Sequence, residues 1–429
     1  MRKIIIFFLL AVPAVVLSPR QTAASGFSLG RAQIISSDGS LDVLRNPALM
    51  AFQTGTNSIG FIGGSTAYND TVQSYGLNSL NSPSSARIHG NKFTAGGFYL
   101  SYGHKLSEGG IGIAVDSGEP CQVEYNRYDK RYVSNNGISF TDGLISGNYL
   151  RISPRFVLSY GRIVSGDHAV GFQIQAGYSR LDETYSYNGI TDFIITQRHY
   201  GNKRVEEFNG QLAFGYQYRD ENSQAGVMIR SGRFNFKKTK ISYTYRDFIM
   251  PAFYNGSVSE SFHMEYDRGF SVTAGGYRKL AFFIAFGIEG EYAIPYSYDE
   301  KAPRFDEFTS FLGVTVYSAV AKKGTYGIRG GFELMPAGPV TINLGGRIST
   351  GGEKRKSRYF QESIMTDTYA GLFGLDFKFT DYMLIILGAQ LEYTRVRRFD
   401  SSALFSANSI DGLSRRYNLD AHLGMSFQF

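Results

Sequence analysis

The stretch that decides the fold is the end of the chain, Tyr417-Asn-Leu-Asp-Ala-His-Leu-Gly-Met-Ser-Phe-Gln-Phe429. Every second side chain from Tyr417 to Phe429 is apolar, and the positions between them are polar or glycine. Successive side chains of a strand point to opposite faces, so this alternation predicts a strand with one apolar face. The segment is longer than the nine to eleven or so residues that a transmembrane strand needs. It therefore predicts a barrel strand with lipid on one side.

The same alternation recurs at 170–178, 212–218, 326–334 and 373–379. A soluble β-sandwich also alternates, so the pattern alone does not establish a membrane protein. Strand length, loop asymmetry and an export signal favour the membrane barrel. Charged residues on the polar faces, such as Arg329, Glu392 and Asp420, are then expected to face the lumen, because lipid contact is costly for a charge.

The connections between strand candidates differ in length. Short turns are predicted at 165–167, 220–223, 322–324 and 380–381. Long polar connections are predicted at about 125–149, 183–204, 237–262, 351–366 and 397–413. Short turns at one end and long loops at the other are typical of outer-membrane barrels.

The strand count has one conflict. We find fifteen candidates after residue 58, whereas a closed bacterial barrel has an even number. The conflict falls in 308–350, where turns at 322–324 and 335–338 would follow each other directly. We expect fourteen strands.

Residues 1–25 have the pattern of a secretory signal peptide. Arg2 and Lys3 precede an apolar run at 4–17, and small residues follow at 23–25. That run is too short for a membrane-spanning helix, which needs about 20 apolar residues. We therefore expect export to the outer membrane of a diderm bacterium.

The composition argues against several classes of function. Cys121 is the only cysteine, which excludes an intramolecular disulfide or a cysteine metal cluster. A formal charge of +7 over 429 residues is mild and predicts no nucleic-acid partner. None of the six histidines lies in a recognisable nucleophile motif, so we expect no enzyme, metal or cofactor.

The non-alternating stretch after residue 25 carries the one specific motif. It contains Gly30-Arg31-Ala32, then Asp38-Gly39-Ser40, then Asn46-Pro47-Ala48. An Asn-Pro-Ala tripeptide alone is a helix start or a turn in any protein. Between a signal peptide and a barrel, the three elements resemble the plug of the FadL-type outer-membrane transporters. Gly39 stands where that family usually has alanine.

The resemblance implies an all-β fold, a transmembrane antiparallel barrel of about 14 strands with an N-terminal plug in its lumen. The plug would be 26–55 and the barrel 56–429. The implied function is passive uptake of hydrophobic small molecules, with long-chain fatty acids as the expected substrate. The family releases its ligand sideways into the bilayer at a kinked strand. No basic residue that would hold a carboxylate can be identified from the sequence.

An interrupted strand offers a candidate for the lateral gap. The candidate at 110–115 is too short to span, and alternation resumes at Cys121, beyond Gly118 and Pro120. Proline removes a ladder donor, and glycine often marks a bulge. An ordinary extracellular turn explains the same residues equally well.

Two other functions fit the same barrel. An adaptor or adhesin would use the long loops, whereas a general porin would have an open polar channel. A transporter should instead have an apolar pocket against the plug. The expected partners are a hydrophobic small molecule, outer-membrane lipid and, through the strand that ends at Phe429, the barrel assembly machinery.

Overall fold

The structure is a computed structural model. It describes residues 39–53, 55–77, 83–117, 121–134, 138–191, 194–237, 239–247, 256–262, 269–299, 319–335, 339–356, 360–380, 382–402 and 410–429. The predicted signal peptide and the first part of the predicted plug lie outside these residues. Within the described part of the chain, no helix has the length and apolar character needed to span a bilayer.

In the described part of the chain, twenty strand segments make up one antiparallel sheet. They are β1 (Asn57–Leu77), β2 (Pro83–Leu106), β3 (Gly109–Asp116), β4 (Cys121–Ser134), β5 (Ile138–Ile152), β6 (Arg155–Ser165), β7 (His168–Thr191), β8 (Ile194–Arg219), β9 (Ser223–Arg230), β10 (Phe234–Asn235), β11 (Thr239–Asp247), β12 (Gly256–Phe262), β13 (Ser271–Ala281), β14 (Ile284–Ala293), β15 (Tyr296–Asp299), β16 (Ala319–Leu334), β17 (Val340–Lys356), β18 (Phe360–Thr380), β19 (Met383–Ser402) and β20 (Ile410–Gln428).

The sheet closes into a barrel of 14 strands. Some strands of the barrel are interrupted and consist of two or three segments. Segments β3 and β4 form one such strand, because both pair with β2. Segments β5 and β6 form another, because both pair with β7. In the same way β9, β10 and β11 all pair with β8. Closure comes from β20, which pairs with β1 from Ser58↔Gln428 to Gly76↔Ile410. The predicted antiparallel barrel and its strand number are confirmed.

The two faces of β20 have the predicted orientations. Leu419 is 53% exposed, whereas Asp420 and His422 are buried on the inner face. Phe172 and Phe214 on β7 and β8 also point outward, and Gln173 and Gln217 point inward. An outward apolar band around a polar lumen is the arrangement of an outer-membrane barrel.

The predicted turn at 322–324 is wrong. Strand β16 continues through these residues, and its register with β17 shifts between Lys323 and Tyr326, which marks a β-bulge. Pairing with β15 at Lys322 and with β17 holds the chain extended despite its turn-like Lys-Lys-Gly composition. Removing this turn resolves the conflict between fifteen candidates and fourteen strands.

The long polar connections are largely strand, not loop. The region 125–149 lies mostly in β4 and β5, which pair from Cys121↔Arg151 to Ser134↔Ile138. In the same way β7 and β8 pair to Thr191↔Ile194. Where both faces of a hairpin meet water, apolar alternation is not required, although backbone pairing continues.

Two short turns are confirmed where they were predicted. Strand β6 ends at Ser165 and β7 begins at His168, with Gly166 at φ 49°. This left-handed conformation favours glycine and suits a tight hairpin. At the other turn the Asp220 carboxylate accepts hydrogen bonds from the Asn222 and Ser223 amides, at 2.7 and 2.6 Å. Short turns mark the periplasmic end of an outer-membrane barrel.

The outward band predicts a depth-dependent cost for an added charge. Leu387 points outward about midway between Tyr382 at the periplasmic turn and Tyr393, whose ring neighbours Tyr369 and Tyr417. We expect Leu387→Arg to lower the free energy of unfolding by about 2–4 kcal/mol. The control Tyr382→Arg should cost only about 0–1 kcal/mol, because the interface is wet. Denaturant unfolding in lipid vesicles measures both, and equal losses would contradict a membrane band here.

Candidate functional site

Residues 39–53, here called the inner segment, lie against the inner face of the barrel. They form two 3₁₀ helices, Gly39–Leu44 and Pro47–Phe52. Every residue from 41 to 50 is buried. The helices contact β1, β2, β3, β6, β7, β8 and β20. The inner segment therefore occupies the lumen beside these strands, next to the start of β1.

Asn46 both starts the second helix and ties it to the wall. Its Oδ1 accepts a hydrogen bond from the Ala48 amide at 3.2 Å, and Pro47 occupies the first helical turn. Its Nδ2 donates to the Tyr216 carbonyl at 2.9 Å and to Gln217 Oε1 at 3.0 Å. The Asn-Pro-Ala element is thus a helix start, whose wall partners the sequence could not reveal.

Four glycines in register form the seat of the second helix. Gly110, Gly161, Gly171 and Gly215 are cross-strand neighbours on β3, β6, β7 and β8. A Cβ at Gly161 would lie 2.6 Å from the Pro47 carbonyl oxygen, and a Cβ on any of the other three would overlap the inner segment. Bare backbone is what allows the helix to approach this closely.

Side chains of β7 and β8 bind the inner segment's backbone. Gln173 donates to the carbonyl oxygens of Val43 and Arg45. Arg219 donates to the Phe52 carbonyl at 3.4 Å, and its guanidinium carbon lies 5.7 Å from the centre of the Phe52 ring. Neither residue could be predicted from the sequence, because nothing in it relates them to 43–52.

The other side of the inner segment packs on apolar side chains. This apolar cluster consists of Leu41, Val43, Leu44, Met50, Ile62, Tyr99, Ala114, Val157 and Ile386, all buried. The wall members come from β1, β2, β3, β6 and β19. It is the largest apolar contact in the lumen among the clusters of described residues.

The inner face of the wall from β14 to β20 carries several ion pairs, although Ile386 on β19 belongs to the apolar cluster. Arg329 pairs with Glu289 at 2.8 Å and with Glu291 at 3.2 Å. Arg347 pairs with Glu392 at 3.0 Å. Glu392 also accepts hydrogen bonds from Gln390 and Asn418. The predicted placement of these charges in the lumen is confirmed.

A polar cavity of about 520 Å³ opens at the periplasmic mouth beside Phe52. Its lining includes Arg219, Asp220, Lys279 and Glu333. Hydrogen bonds, first from the Tyr218 hydroxyl and then from backbone amides of the turn, lower the pKa of the Asp220 carboxyl. The mouth beside the inner segment is thus charged and wet.

The interruption predicted as a candidate lateral gap falls between β3 and β4, two segments of the same barrel strand. Strand β3 ends at Asp116, the Ser117 amide still donates to the Phe98 carbonyl at 2.9 Å, and β4 resumes the pairing with β2. The neighbouring strand is interrupted alongside, between β5 and β6 at 153–154. An ion pair between Asp116 and Arg155 joins β3 to β6 at this level.

The remaining predicted site residues are placed only in part. Gly39 and Ser40 begin the first 3₁₀ helix. Asp38, Gly118 and Pro120 lie outside the described residues. Among the residues described, no group of three or more His, Cys, Asp or Glu side chains is arranged to hold a metal ion.

Solved structures share this fold. A FadL homologue of Pseudomonas aeruginosa is 11% identical with a TM-score of 0.54, covering 97% of this chain and 100% of its own. The Pseudomonas putida toluene transporter TodX is 11% identical with a TM-score of 0.55, over the same shares. The Ralstonia pickettii toluene transporter TbuX is 10% identical with a TM-score of 0.53, covering 95% and 98%. No protein-family model and no curated protein matches the sequence. The resemblance to FadL-type proteins is thus confirmed for the fold.

The glycine seat predicts that a methyl group added at one of its glycines displaces the inner segment. In Gly171→Ala the new methyl group would overlap the backbone of Pro47 and Ala48, so the inner segment must shift. We expect a loss of about 1–3 kcal/mol and faster amide hydrogen exchange across 46–52. Gly371→Ala is the matched control, because its Cβ would meet no atom within 4 Å. Equal exchange in both variants would contradict the seat.

Proposed function

We propose that this protein, which has the FadL-type fold, carries hydrophobic small molecules passively across the outer membrane. The supporting observation is the inner segment, buried in the lumen on a glycine seat. We take it as part of a plug spanning 26–55, after a signal peptide at 1–25 and before a barrel at 56–429. The plug would block a general water-filled route, which disfavours a porin.

The physical chemistry of the lumen favours an apolar cargo. An apolar surface offers about 0.8 kcal/mol per buried methylene, whereas a water-filled pore offers none. The apolar cluster is such a surface, and the inner segment covers it here. TodX and TbuX are described as toluene transporters, and one neighbour is a homologue of FadL. We propose long-chain fatty acids as the substrate, with monoaromatic hydrocarbons as the alternative class.

A sideways exit suits this cargo better than a direct path to the periplasm. The periplasmic mouth is lined by Arg219, Asp220 and Lys279, which disfavour a hydrocarbon. The interruptions after Asp116 and before Arg155 lie side by side in the wall. They would shorten the backbone ladder at one place, where we propose that the ligand reaches the bilayer.

The remaining proposed partners follow from the outer face. Outer-membrane lipid would cover the apolar band. The barrel assembly machinery would engage the strand that ends at Phe429, whose amide and carbonyl pair with Asn57. An adaptor or adhesin remains the second candidate function, and it predicts no uptake.

Uptake by cells tests the proposal directly. Cells lacking other transporters and expressing this protein should accumulate labelled oleate or toluene faster than cells without it, and an unchanged rate would favour the adaptor.

Deleting residues 26–50 should raise leakage of small polar solutes, because the lumen loses its plug. Leakage equal to that of the intact protein would identify this region as a periplasmic tail.

The exit is tested by restoring strand-forming residues. Gly118→Val combined with Pro120→Val should let the ladder form across the interruption and lower uptake. Heat-modifiable migration in gels should stay normal, which controls for barrel assembly. Unaltered uptake would place the exit elsewhere.

A further inference from the structure

On β18 to β20, the outer face of the barrel carries a row of tyrosines and then a row of charged residues. Tyr369, Tyr393 and Tyr417 are in register, and their rings neighbour one another. Such aromatic girdles mark the interfaces of an outer-membrane barrel. Arg395 and Arg415 lie on the same face, two residues or about 7 Å beyond the tyrosines and away from the periplasmic turns. Both are exposed, so they lie at the level of the headgroups of the outer leaflet.

This arginine pair places like charges side by side. Arg395 and Arg415 are direct cross-strand partners. Side chains in such pairs have Cβ atoms about 4.5–5.5 Å apart, and like charges there are destabilising. Arg397 lies beside them on the same face and forms an ion pair with Asp367 at 3.0 Å. Among the described residues, this arginine cluster of 395, 397 and 415 sets three guanidinium groups against one carboxylate. It therefore attracts an anion.

Another part of the wall shows arginines in a balanced arrangement. On β7 and β8, Arg180 and Arg204 also lie on the outer face, beyond the neighbouring rings of Tyr178 and Phe208. Both arginines pair with Asp182, at 2.6 Å each. The charges are compensated within the protein there, whereas the arginine cluster has a surplus of positive charge.

On the membrane side of the tyrosines, the outer face is hollow. Gly330, Gly346 and Gly371 are in register on β16, β17 and β18 and form the floor of a groove of about 720 Å³. The sides of the groove include Ile328, Ile348, Tyr369, Leu391 and Tyr417. These side chains give it an apolar surface that is open to the bilayer. Because Tyr417 also neighbours Arg415 along β20, the groove leads directly to the arginine cluster.

We propose that the arginine cluster and the groove together bind a phosphate-bearing lipid of the outer leaflet. Its phosphate would lie on the guanidinium groups and an acyl chain in the groove. Guanidinium groups bind phosphate through paired, charge-assisted hydrogen bonds. Basic residues at a membrane surface also attract anionic headgroups over a longer range. The site faces the bilayer, so it does not depend on which molecule passes through the lumen.

Binding of diphosphoryl lipid A to the purified protein in detergent micelles tests the site, with native mass spectrometry giving the Kd. Arg395→Gln combined with Arg415→Gln should raise the Kd about 30-fold, because each basic residue near anionic lipid contributes about a factor of five. Arg395→Lys combined with Arg415→Lys should restore most of the binding.

The matched control is Arg180→Gln combined with Arg204→Gln, which removes the same charge elsewhere on the outer face. We expect it to leave the Kd unchanged, since Asp182 already compensates these arginines. Heat-modifiable migration in gels checks the folding of every variant. An equal rise of the Kd in both glutamine pairs would reduce the binding to general charge attraction and overturn the site.

Two further comparisons separate the phosphate from the acyl chain. Lipid A treated with a phosphatase should bind the parent protein only weakly, and inorganic phosphate at the same concentration should not displace intact lipid A. Gly371→Leu fills the groove without a clash and should lower the affinity several-fold. Gly276→Leu is its control, on the outer face of β13 beside Ile288 and outside the groove. Undiminished binding of the treated lipid, displacement by inorganic phosphate, or equal affinity of the two leucine variants overturns the site.

Discussion

Hydrogen bonding of the backbone is the constraint on which this structure depends. In hydrocarbon, water cannot satisfy an amide or a carbonyl, so a sheet crosses a bilayer only when it has no open edge. The ladder between β1 and β20 provides that closure, and Asn57 and Phe429 exchange both of their backbone hydrogen bonds at its end. Closure separates an outer face from a lumen, and the opposite chemistry of the two faces follows.

Closure also encloses a lumen, and the inner segment lies in it against the wall. The described lumen is divided between two chemistries. One wall bears ion pairs such as Arg329 with Glu289, which are tolerated because partners face each other across neighbouring strands. The other wall combines the glycine seat, polar anchors and the apolar cluster. Within this second wall, the inner segment meets polar anchors on β7 and β8 and the side chains of the apolar cluster.

Much of the fold could be predicted from the sequence, but the seat could not. Alternation across a membrane band is a local signal, so the faces of β20 followed from residues 417–429. Residues 125–149 are polar and lack this alternation, so the region was interpreted as loop although it pairs as β4 and β5. Lys323 and its neighbours have turn-like composition, and only pairing with distant strands keeps them extended. The bond from Asn46 to Gln217 spans 171 positions and leaves no pattern in a single sequence.

The glycine row gives the lumen an asymmetric response to mutation. At Gly110, Gly161, Gly171 and Gly215 every possible substitution adds at least one carbon atom, and each would collide with the chain seated there. Substitutions at these four positions can therefore only worsen the fit of the inner segment to the wall. The apolar residues that face β2 and β3 can exchange one hydrocarbon shape for another at modest cost. Over generations the apolar cluster could therefore diversify, while the inner segment stayed fixed to the same four backbone positions.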